Sequence, residues 1–454
     1  MTITPRSLDL DMLTQAFAGI ETITDHTQVA KLSQDYHTFS PILTAKLAGK
    51  VGDIVVRPSN EAEVIQAAKI CVQQRIPLTV RGAGTGNYGQ CVPLQGGVIL
   101  DMTKMTRILW TKPGVVRVEA GAKLAAIEKK TQEIGWELRM APSTYRTATI
   151  GGFIAGGSGG IGSIQYGLLG DRGNLSALKV ITLEDEPRTI ELRGQDVQKA
   201  NHAWGINGII TELEIPLAPA YPWAEMIVTF ADFLGAVRFG QAIALADGMI
   251  KREIAVFAAP IPQYFHALQQ YISPESHAVF LIVAESSLEA LSALITEHHG
   301  KITYEKPAKE AGKGLHLAEY TWNHTTLHAR TTDTNITYLQ SIFPGDNLQT
   351  IEHMYHHFGD EVMLHLEFIR AGGMVANPAL QLVRYSSEER LGEIIRYHEE
   401  RGVFIANPHS YFIEEGWKRA IAPEHLKFKQ QVDPYGLMNP GKSKTLLIGV
   451  GNGE

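Results

Sequence analysis

The chain has 454 residues, 44% of them hydrophobic, and because one hydrophobic core stops growing at roughly 250 to 300 residues, we expect two or three domains. The net charge of −7 gives no electrostatic reason to expect nucleic acid as a partner. Two cysteines are too few for a disulfide scaffold, and no apolar stretch approaches the roughly 18 residues of a membrane span, so we expect a cytoplasmic protein without a transmembrane segment.

Short strands and helices alternate along the first half of the chain. A strand at residues 54–56 precedes a helix, at whose start Asn60 and Glu63 can form a capping box. A second strand, at residues 77–80, leads into a glycine-rich loop. Further strands are predicted at residues 98–100, 115–118, 180–183, 189–192 and 209–215. This alternation is typical of an α+β or α/β domain.

The glycine-rich loop covers residues 81–90, with the sequence RGAGTGNYGQ. Glycine tolerates positive φ and close approach, and successive amides turned inward form a nest for an anion, for which a diphosphate is the natural guest. A dinucleotide fingerprint would need Gly-x-Gly-x-x-Gly and a helix beginning inside the motif, but here the third glycine comes one residue early and loop residues follow it. We predict that the loop alone holds the phosphates; a glycine-rich hairpin end without a ligand is the structural alternative.

A second glycine-dense stretch occupies residues 149–162. Its composition alone would suit a flexible linker. However, Ile150, Phe153, Ile154 and Ile161 run through it, and linkers do not normally carry such residues. We predict an ordered backbone surface.

Beyond Pro219 the pattern changes to strands with fewer helices between them. Strands are predicted at residues 226–230, 254–258, 279–283, 302–304, 362–368 and 403–406, and helices at residues 233–246, 288–299 and 388–401. This arrangement indicates a second α+β domain of antiparallel character.

The two glycine stretches and the closing segment at residues 432–442, VDPYGLMNPGK, resemble the FAD-linked oxidases of the vanillyl-alcohol oxidase and p-cresol methylhydroxylase type. The resemblance is nearest to the glycolate oxidase flavin subunit and the D-lactate and D-2-hydroxyacid dehydrogenases. It runs from about residue 51 to 219 and resumes near residues 426–442. Residues 81–90 match the family's diphosphate loop, residues 149–162 its second FAD loop, and residues 208–212 the strand that edges the flavin.

The resemblance implies an α+β fold, with a two-lobed p-cresol methylhydroxylase-type FAD-binding domain and an α+β cap domain built on an antiparallel sheet. We expect an N-terminal helical segment at residues 1–47, the FAD-binding domain at 48–219, the cap at 220–425 and a C-terminal segment at 426–454 that returns to the flavin site. The residues carried over as FAD-binding are Arg81, Gly82, Ala83, Gly84, Thr85, Gly86, Asn87, Pro142, Ser143, Thr149, Gly151, Gly152, Gly156, Gly157, Ile210, Asn439 and Lys442.

Some members of the family tether FAD through a histidine in or just after the diphosphate loop. This chain has no histidine within residues 81–90, and neither Cys71 nor Cys91 stands at the usual cysteine attachment position. We therefore expect non-covalent FAD.

Oxidation of a 2-hydroxy acid needs a base for the hydroxyl proton and a cation for the carboxylate. The candidates in the cap are His409, His365, Glu367, Arg370 and Arg384. Strand alternation places His365 and Glu367 on one face, which would meet either solvent or substrate. A second candidate for the substrate wall is the run Trp322, Asn323 and His324.

No metal site is expected. Many D-2-hydroxyacid dehydrogenases hold a divalent metal with a His-x-x-Gly-Asp-Gly-Asn-x-His segment, which this chain lacks. This departure argues against a bound metal and weakens the assignment of a 2-hydroxy acid substrate, but it does not affect the assignment of a flavin cofactor. The pair His324 and His328 and the histidines of residues 353–357 have helical spacing without an assignable third ligand. Residues 436–443 match the P-loop pattern, yet Pro440 lacks an amide hydrogen, the segment follows a turn at Asp433-Pro434, and the eleven residues after Ser443 are too few for a nucleotide domain.

We therefore expect an FAD-dependent oxidoreductase that oxidises a small hydroxylated substrate, most simply a 2-hydroxy acid like glycolate or D-lactate, by hydride transfer to flavin N5. An accessory FAD-binding subunit of an oxidase complex and an FAD-dependent reductase of the UDP-N-acetylenolpyruvoylglucosamine reductase type are the alternatives. The electron acceptor, which could be oxygen, a quinone or a protein, stays open, as does the choice between a homo-oligomer and an oxidase subunit.

Overall fold

The computed structural model describes residues 10–344, 347–416 and 421–449. In these ranges the chain forms three sheets, of four, six and ten strands. The two smaller sheets lie in the first half of the chain and the largest in the second half. The α+β fold class predicted from the sequence is confirmed.

The first lobe includes the N-terminal helices, because the strand between the first two of them joins its sheet. Its elements are α1 (Leu10–Ala16), β1 (Glu21–Ile23), α2 (His26–Leu32), α3 (Pro41–Lys46), β2 (Ile54–Arg57), α4 (Glu61–Gln74), β3 (Leu78–Arg81) and β4 (Val98–Asp101). The strand order is β1-β2-β4-β3, in which β2, β4 and β3 are parallel and β1 is antiparallel. The cap predicted for α4 from Asn60 and Glu63 is present, since Glu63 N donates to Asn60 Oδ1 at 3.0 Å; the Glu63 carboxylate accepts from Ser59 N, one residue before the N-cap, at 2.7 Å.

The second lobe is an antiparallel sheet. Its elements are β5 (Ile108–Lys112), β6 (Val115–Glu119), α5 (Leu124–Gln132), β7 (Trp136–Leu138), α6 (Ile150–Gly156), α7 (Ser163–Tyr166), β8 (Ala177–Ile181), β9 (Thr189–Arg193) and β10 (Ile209–Pro219). The order is β5-β6-β10-β8-β9, and β7 pairs with the end of β10. The second glycine stretch begins with α6, whose first turn is capped by Thr149 Oγ1 accepting from Gly152 N at 3.3 Å. The stretch is therefore ordered, and it starts as a helix.

The second half of the chain forms the cap. Its elements are β11 (Trp223–Phe230), α8 (Phe233–Leu245), β12 (Lys251–Phe257), β13 (His277–Ala284), α9 (Leu288–Glu297), β14 (Lys301–Lys306), α10 (His324–Thr332), β15 (Ile336–Phe343), α11 (Leu348–Phe358), β16 (Val362–Met363), β17 (His365–Glu367), β18 (Ile369–Ala371), β19 (Met374–Arg384), α12 (Glu388–Glu399) and β20 (Phe404–Ala406). The order is β14-β11-β13-β12-β17-β19-β15-β20, with β16 and β18 on β19. Helices α8, α9, α11 and α12 bury their apolar faces against one side of the sheet. The strand predicted at 362–368 is split at Leu364, whose carbonyl accepts from Ala258 N at 3.0 Å.

The end of the chain comes back to the first lobe. It contains α13 (Pro423–Val432) and α14 (Lys444–Gly449). Between them, Leu437 O accepts from Leu78 N at 2.8 Å and Asn439 N donates to Leu78 O at 2.7 Å, so this stretch runs beside β3. Residues 1–9 and 450–454 of the predicted terminal segments lie outside the described residues. No helix within the described ranges is long and apolar enough to cross a membrane.

Candidate functional site

A cavity of about 490 Å³ lies between the two lobes and the cap. Backbone-rich loops form one side of its wall and cap side chains form the other. The cap contributes Glu319, Trp322, Asn323, His324, Leu327, Gln340 and Leu380. Of the residues that the sequence assigned to FAD, the wall contains Arg81, Gly82, Ala83, Gly84, Thr85, Gly86, Asn87, Pro142, Ser143, Thr149, Gly151, Gly152, Gly156, Gly157 and Ile210.

The glycine loop offers the cavity unpaired backbone amides. Gly84 has φ +67°, and a Cβ there would lie 2.1 Å from the Arg81 guanidinium. That guanidinium donates to Gln34 O at 2.6 Å and to Ala83 O at 3.3 Å, so it fills the bend of the loop. The amides of residues 83–87 donate no hydrogen bond to any other residue that the structure describes. A row of free amides beside a buried arginine is suited to an anion such as a diphosphate.

Trp204 adds an unused donor to the wall. Its Nε1 is buried and has no hydrogen-bond partner in the described part of the chain. The ring is held against Tyr88, with 5.5 Å between the ring centroids. Because buried polar groups are normally paired, this donor indicates that a polar ligand completes the wall.

Asn439 and Lys442 lie behind the glycine loop, outside the cavity wall. Asn439 Nδ2 donates to Gln90 O at 2.8 Å and to Trp204 O at 2.7 Å. Lys442 Nζ donates to Gly89 O at 2.5 Å, and burial lowers its pKa to about 8. Both side chains are therefore committed to the backbone that carries the loop. They were expected to bind FAD directly, whereas the structure places them behind the glycine loop, where they support its backbone.

None of the five residues predicted to be catalytic lines the cavity. His409 is buried, and its two ring nitrogens are used structurally. Nε2 donates to Tyr338 O at 2.9 Å, and Nδ1 therefore accepts from Ser40 Oγ at 2.7 Å. Burial lowers the pKa of this imidazole to about 4. We do not retain His409 as a base, because it fastens the cap to the N-terminal segment.

The two predicted carboxylate anchors are paired with other groups. Arg370 contacts Asp247 and donates to Gly373 O at 3.1 Å. Arg384 donates to Asp333 Oδ2 at 3.0 Å and to the Tyr264 hydroxyl at 3.2 Å. Neither arginine is in the cavity wall, and neither is retained as a substrate anchor.

His365 and Glu367 share a face, as the alternation predicted, with His365 Nε2 and Glu367 Oε1 2.9 Å apart. The prediction that this face meets solvent or substrate is wrong. Both residues are fully buried and lie one layer behind the cavity, where Glu367 Oε1 accepts from Trp322 N at 2.6 Å. Glu253 is also buried, and its Oε2 accepts a hydrogen bond from the Trp322 indole Nε1 at 3.4 Å.

Burial dominates the ionisation of this cluster. It raises the pKa of Glu253 well above its usual value, and the neighbouring Glu367 adds to that shift. Burial also raises the pKa of Glu367 to about 7 and lowers that of His365 to about 3. His365 is consequently neutral, Glu367 is partly protonated near neutral pH, and the raised pKa of Glu253 favours its protonated form.

The cap wall instead presents Trp322, Asn323 and His324, the second candidate run from the sequence. Opposite them, Arg146 reaches the mouth of the cavity and forms an ion pair with Glu319, Nε to Oε1 2.8 Å. His324 Nδ1 is 3.7 Å from Glu319 Oε2. Arg146 and Glu319 were not among the residues predicted from the sequence. The position of Arg146 shortly after Ser143 was a usable signal for the first, whereas nothing local marks Glu319.

Part of the chain that lines this cavity is similar to known FAD-binding proteins. Residues 52–188 match the family described as FAD binding domain. The chain is 29% identical over 205 residues to the glycolate oxidase subunit GlcD of Escherichia coli, which is 43% of this chain and 41% of that protein. It is 30% identical over 258 residues to the D-lactate dehydrogenase of Archaeoglobus fulgidus, covering 53% of this chain and 56% of the relative. The match thus spans between about two fifths and just over half of the length of these relatives.

Solved structures share the fold over nearly the whole chain. Alkyldihydroxyacetonephosphate synthase superposes with a TM-score of 0.74 at 17% identity, covering 97% of this chain and 86% of the other. A BBE-like 1 protein of Physcomitrella patens gives a TM-score of 0.66 at 14% identity, with 94% and 98% covered. The predicted two-lobed p-cresol methylhydroxylase-type domain with its cap is confirmed as the fold.

Proposed function

We propose that this chain, whose residues 52–188 match the FAD binding domain family, is an FAD-dependent oxidoreductase that oxidises a small hydroxylated substrate. A 2-hydroxy acid is the substrate class we favour, and the names of the relatives, glycolate oxidase subunit and D-lactate dehydrogenase, support it. FAD, when bound, supplies the acceptor for a hydride from the substrate carbon. The protein has to bind, orient and deprotonate the substrate.

The observation that carries this proposal is the composition of the cavity wall. One side offers unpaired amides and the Trp204 indole N–H, which fit a diphosphate and a polar heterocycle. The cap offers an imidazole, His324, and across the cavity from it the second lobe contributes a cation, Arg146. Groups that can bind an anion and groups that can bind a small polar substrate therefore line the same cavity.

Arg146 is our proposed anchor for the substrate carboxylate. The arginines within the described wall are Arg81 and Arg146, and Arg81 is occupied with the bend of the glycine loop. Arg146 is half exposed and paired with Glu319. A substrate carboxylate would take the place of Glu319, because the planar guanidinium pairs bidentately with carboxylates.

The test is anaerobic mixing of the FAD-loaded protein with glycolate, D-lactate and L-lactate. Loss of the flavin absorbance band near roughly 450 nm is expected with at least one D-2-hydroxy acid or glycolate. Dithionite serves as the control that the flavin is reducible. A flavin that dithionite bleaches and none of the acids reduces would contradict the proposal.

An accessory role is the second candidate. The cap lacks the metal-binding histidine segment of many D-2-hydroxyacid dehydrogenases, and the relative in Escherichia coli is named as a subunit. In that case the chain would hold FAD within an oxidase complex while a partner performs the oxidation. The same mixing experiment, repeated with and without co-purified partner chains, separates the two roles.

A further inference from the structure

His324 is the first residue of α10 and stands in the cavity wall. Its side chain is 15% exposed, so the ring is accessible from the cavity and mostly shielded from bulk water. Nδ1 is 3.7 Å from Glu319 Oε2, which is longer than a hydrogen bond. The Glu319 carboxylate therefore does not fix the ring through a short hydrogen bond, and the remaining contact of the imidazole with Glu319 is to its backbone.

The imidazole is in the form that accepts a proton. Burial, together with the neighbouring His328, lowers the pKa of His324 to about 4. The other histidine of the described wall, His202, is held through Nδ1 by the carbonyl oxygen of Gly157 at 2.7 Å, on the side of the second glycine stretch. Of these two rings, His324 is the one on the cap side, beside Arg146 and Glu319.

A buried cluster sets the position of His324. Trp322, two residues earlier, has φ +52°, a backbone conformation that is unfavourable for a residue with a Cβ. Its amide donates to Glu367 Oε1 at 2.6 Å and its indole to Glu253 Oε2 at 3.4 Å. On the side away from the cavity, His365 Nε2 lies 2.9 Å from Glu367 Oε1, within hydrogen-bond distance. Two contacts to one strained residue hold the turn from which α10 begins.

We propose that His324 is the general base of this oxidation and that Glu367 and Glu253 are positioning residues that act on it through Trp322. The inference rests on the proposed function. As the hydride leaves the hydroxyl-bearing carbon for FAD, the O–H proton passes to His324 and the carbon–oxygen double bond forms. With FAD bound, the two electrons would leave the substrate with the hydride for the flavin, and the proton would move on from His324 through the Glu319 carboxylate at the cavity mouth to solvent.

The base is tested with His324→Gln, which keeps a polar side chain of similar length. The matched control is His356→Gln on α11, where His356 is exposed and outside the cavity wall. We expect the rate of flavin bleaching by the best 2-hydroxy acid to fall by a factor of about 100 or more, the usual contribution of a general base. FAD content, dithionite bleaching and the affinity for a redox-inert 2-oxo acid, followed through the flavin spectrum, should stay within about threefold.

The pH profile is a second readout for the same variant. Glu319, Arg146 and His328 are the charged or titratable groups that face His324, and they remain in place in His324→Gln. The wild-type bleaching rate should rise with pH through an acid limb and then stay level. In His324→Gln the residual bleaching rate should no longer rise with pH over the acid range.

Positioning is tested with Glu367→Gln and Glu367→Leu. Glutamine keeps an oxygen that can accept from Trp322 N, whereas leucine does not. We expect Glu367→Leu to lower kcat by about tenfold or more with the 2-oxo acid affinity unchanged, and Glu367→Gln to restore kcat to within about threefold of the wild type. If Glu367→Leu does not fold, Glu253→Leu takes its place, because it removes the acceptor of the Trp322 indole and should lower kcat, whereas Glu253→Gln keeps an oxygen there and should preserve kcat.

The outcomes separate this inference from the function on which it rests. A wild-type flavin that no 2-hydroxy acid bleaches contradicts both. Wild-type bleaching that persists within about threefold in His324→Gln contradicts the base alone. Equal kcat in Glu367→Leu and Glu367→Gln contradicts the positioning role and leaves the base intact.

Discussion

Lys442 Nζ donates a hydrogen bond to the carbonyl oxygen of Gly89 at 2.5 Å, which ties the end of the chain to the end of the glycine loop. The ammonium group is fully buried, and burial lowers its pKa to about 8 while Asp35 partly offsets the shift. The neighbouring Asn439 holds Gln90 O and Trp204 O. The tail thus fixes the loop without touching the cavity.

We predict that Lys442→Met weakens FAD binding by about tenfold or more. Methionine fills the space but cannot hold Gly89 O, and a buried carbonyl that loses its partner costs about 1–3 kcal/mol. FAD affinity is measured by fluorescence titration of the apoprotein. Lys50→Met, at an exposed position, is the control. Equal FAD affinity in Lys442→Met and the control would show that the tail does not support the loop.

Gly84→Ala should abolish stable FAD binding. The new Cβ would lie 2.1 Å from the Arg81 guanidinium, which cannot move without giving up its bonds to Gln34 and Ala83. Gly49→Ala is the matched control, because Gly49 has φ +73° with nothing within 4 Å of a Cβ. Both variants bear the strain of about 1 kcal/mol from positive φ, and only one carries the collision. FAD content after purification is compared, and similar losses in both would trace the effect to backbone strain alone.

FAD should be released completely by acid precipitation. The loop at residues 81–90 carries no histidine. Cys91 is a poor nucleophile because burial raises the pKa of its thiol to about 12. The measurement is the flavin absorbance of supernatant and pellet after trichloroacetic acid treatment. Yellow colour that stays in the pellet would demonstrate a covalent link, and mass spectrometry would then locate it.

Arg146→Ala should raise KM for the best 2-hydroxy acid by about tenfold, or roughly 1.4 kcal/mol of lost binding. Arg146→Lys should recover only part of the lost substrate binding, because an ammonium group cannot pair bidentately with a carboxylate. Arg107→Ala is the control, since Arg107 is an exposed arginine paired with Glu119 outside the cavity wall. An unchanged KM in Arg146→Ala would remove Arg146 as the carboxylate anchor.

Features set by neighbouring residues could be predicted from the sequence. The helix cap of Asn60 and Glu63 and the strand leading into the glycine loop depend on residues within one turn, and the structure contains both. The common face of His365 and Glu367 follows from strand alternation in the same way. The fold and the cofactor came from the resemblance carried by the two glycine stretches and the closing segment.

What a face packs against is decided by distant parts of the chain. The polar face of β17 meets the amide of Trp322 and the carboxyl of Glu253 from other parts of the cap, and no local pattern reveals this layer. His409 likewise fills a junction between Ser40 and Tyr338. The pairing of Arg146 with Glu319 joins a lobe to the cap and has no signal at either position alone.

The buried Glu367 predicts a specific pH dependence of stability. Its folded pKa is raised from 4.5 to about 7, so between these two values the folded state binds more protons than the unfolded state. Stability from this group is therefore fully present below about pH 4.5 and is lost as pH rises through about 7, a change of the order of 3 kcal/mol. Glutamine at this position does not titrate. The stability of Glu367→Gln relative to the wild type should therefore increase between pH 4.5 and pH 8, as measured by urea unfolding, with Glu352→Gln on the exposed face of α11 as the control. A stability difference that does not change with pH would mean that Glu367 is ionised in the folded protein throughout this range.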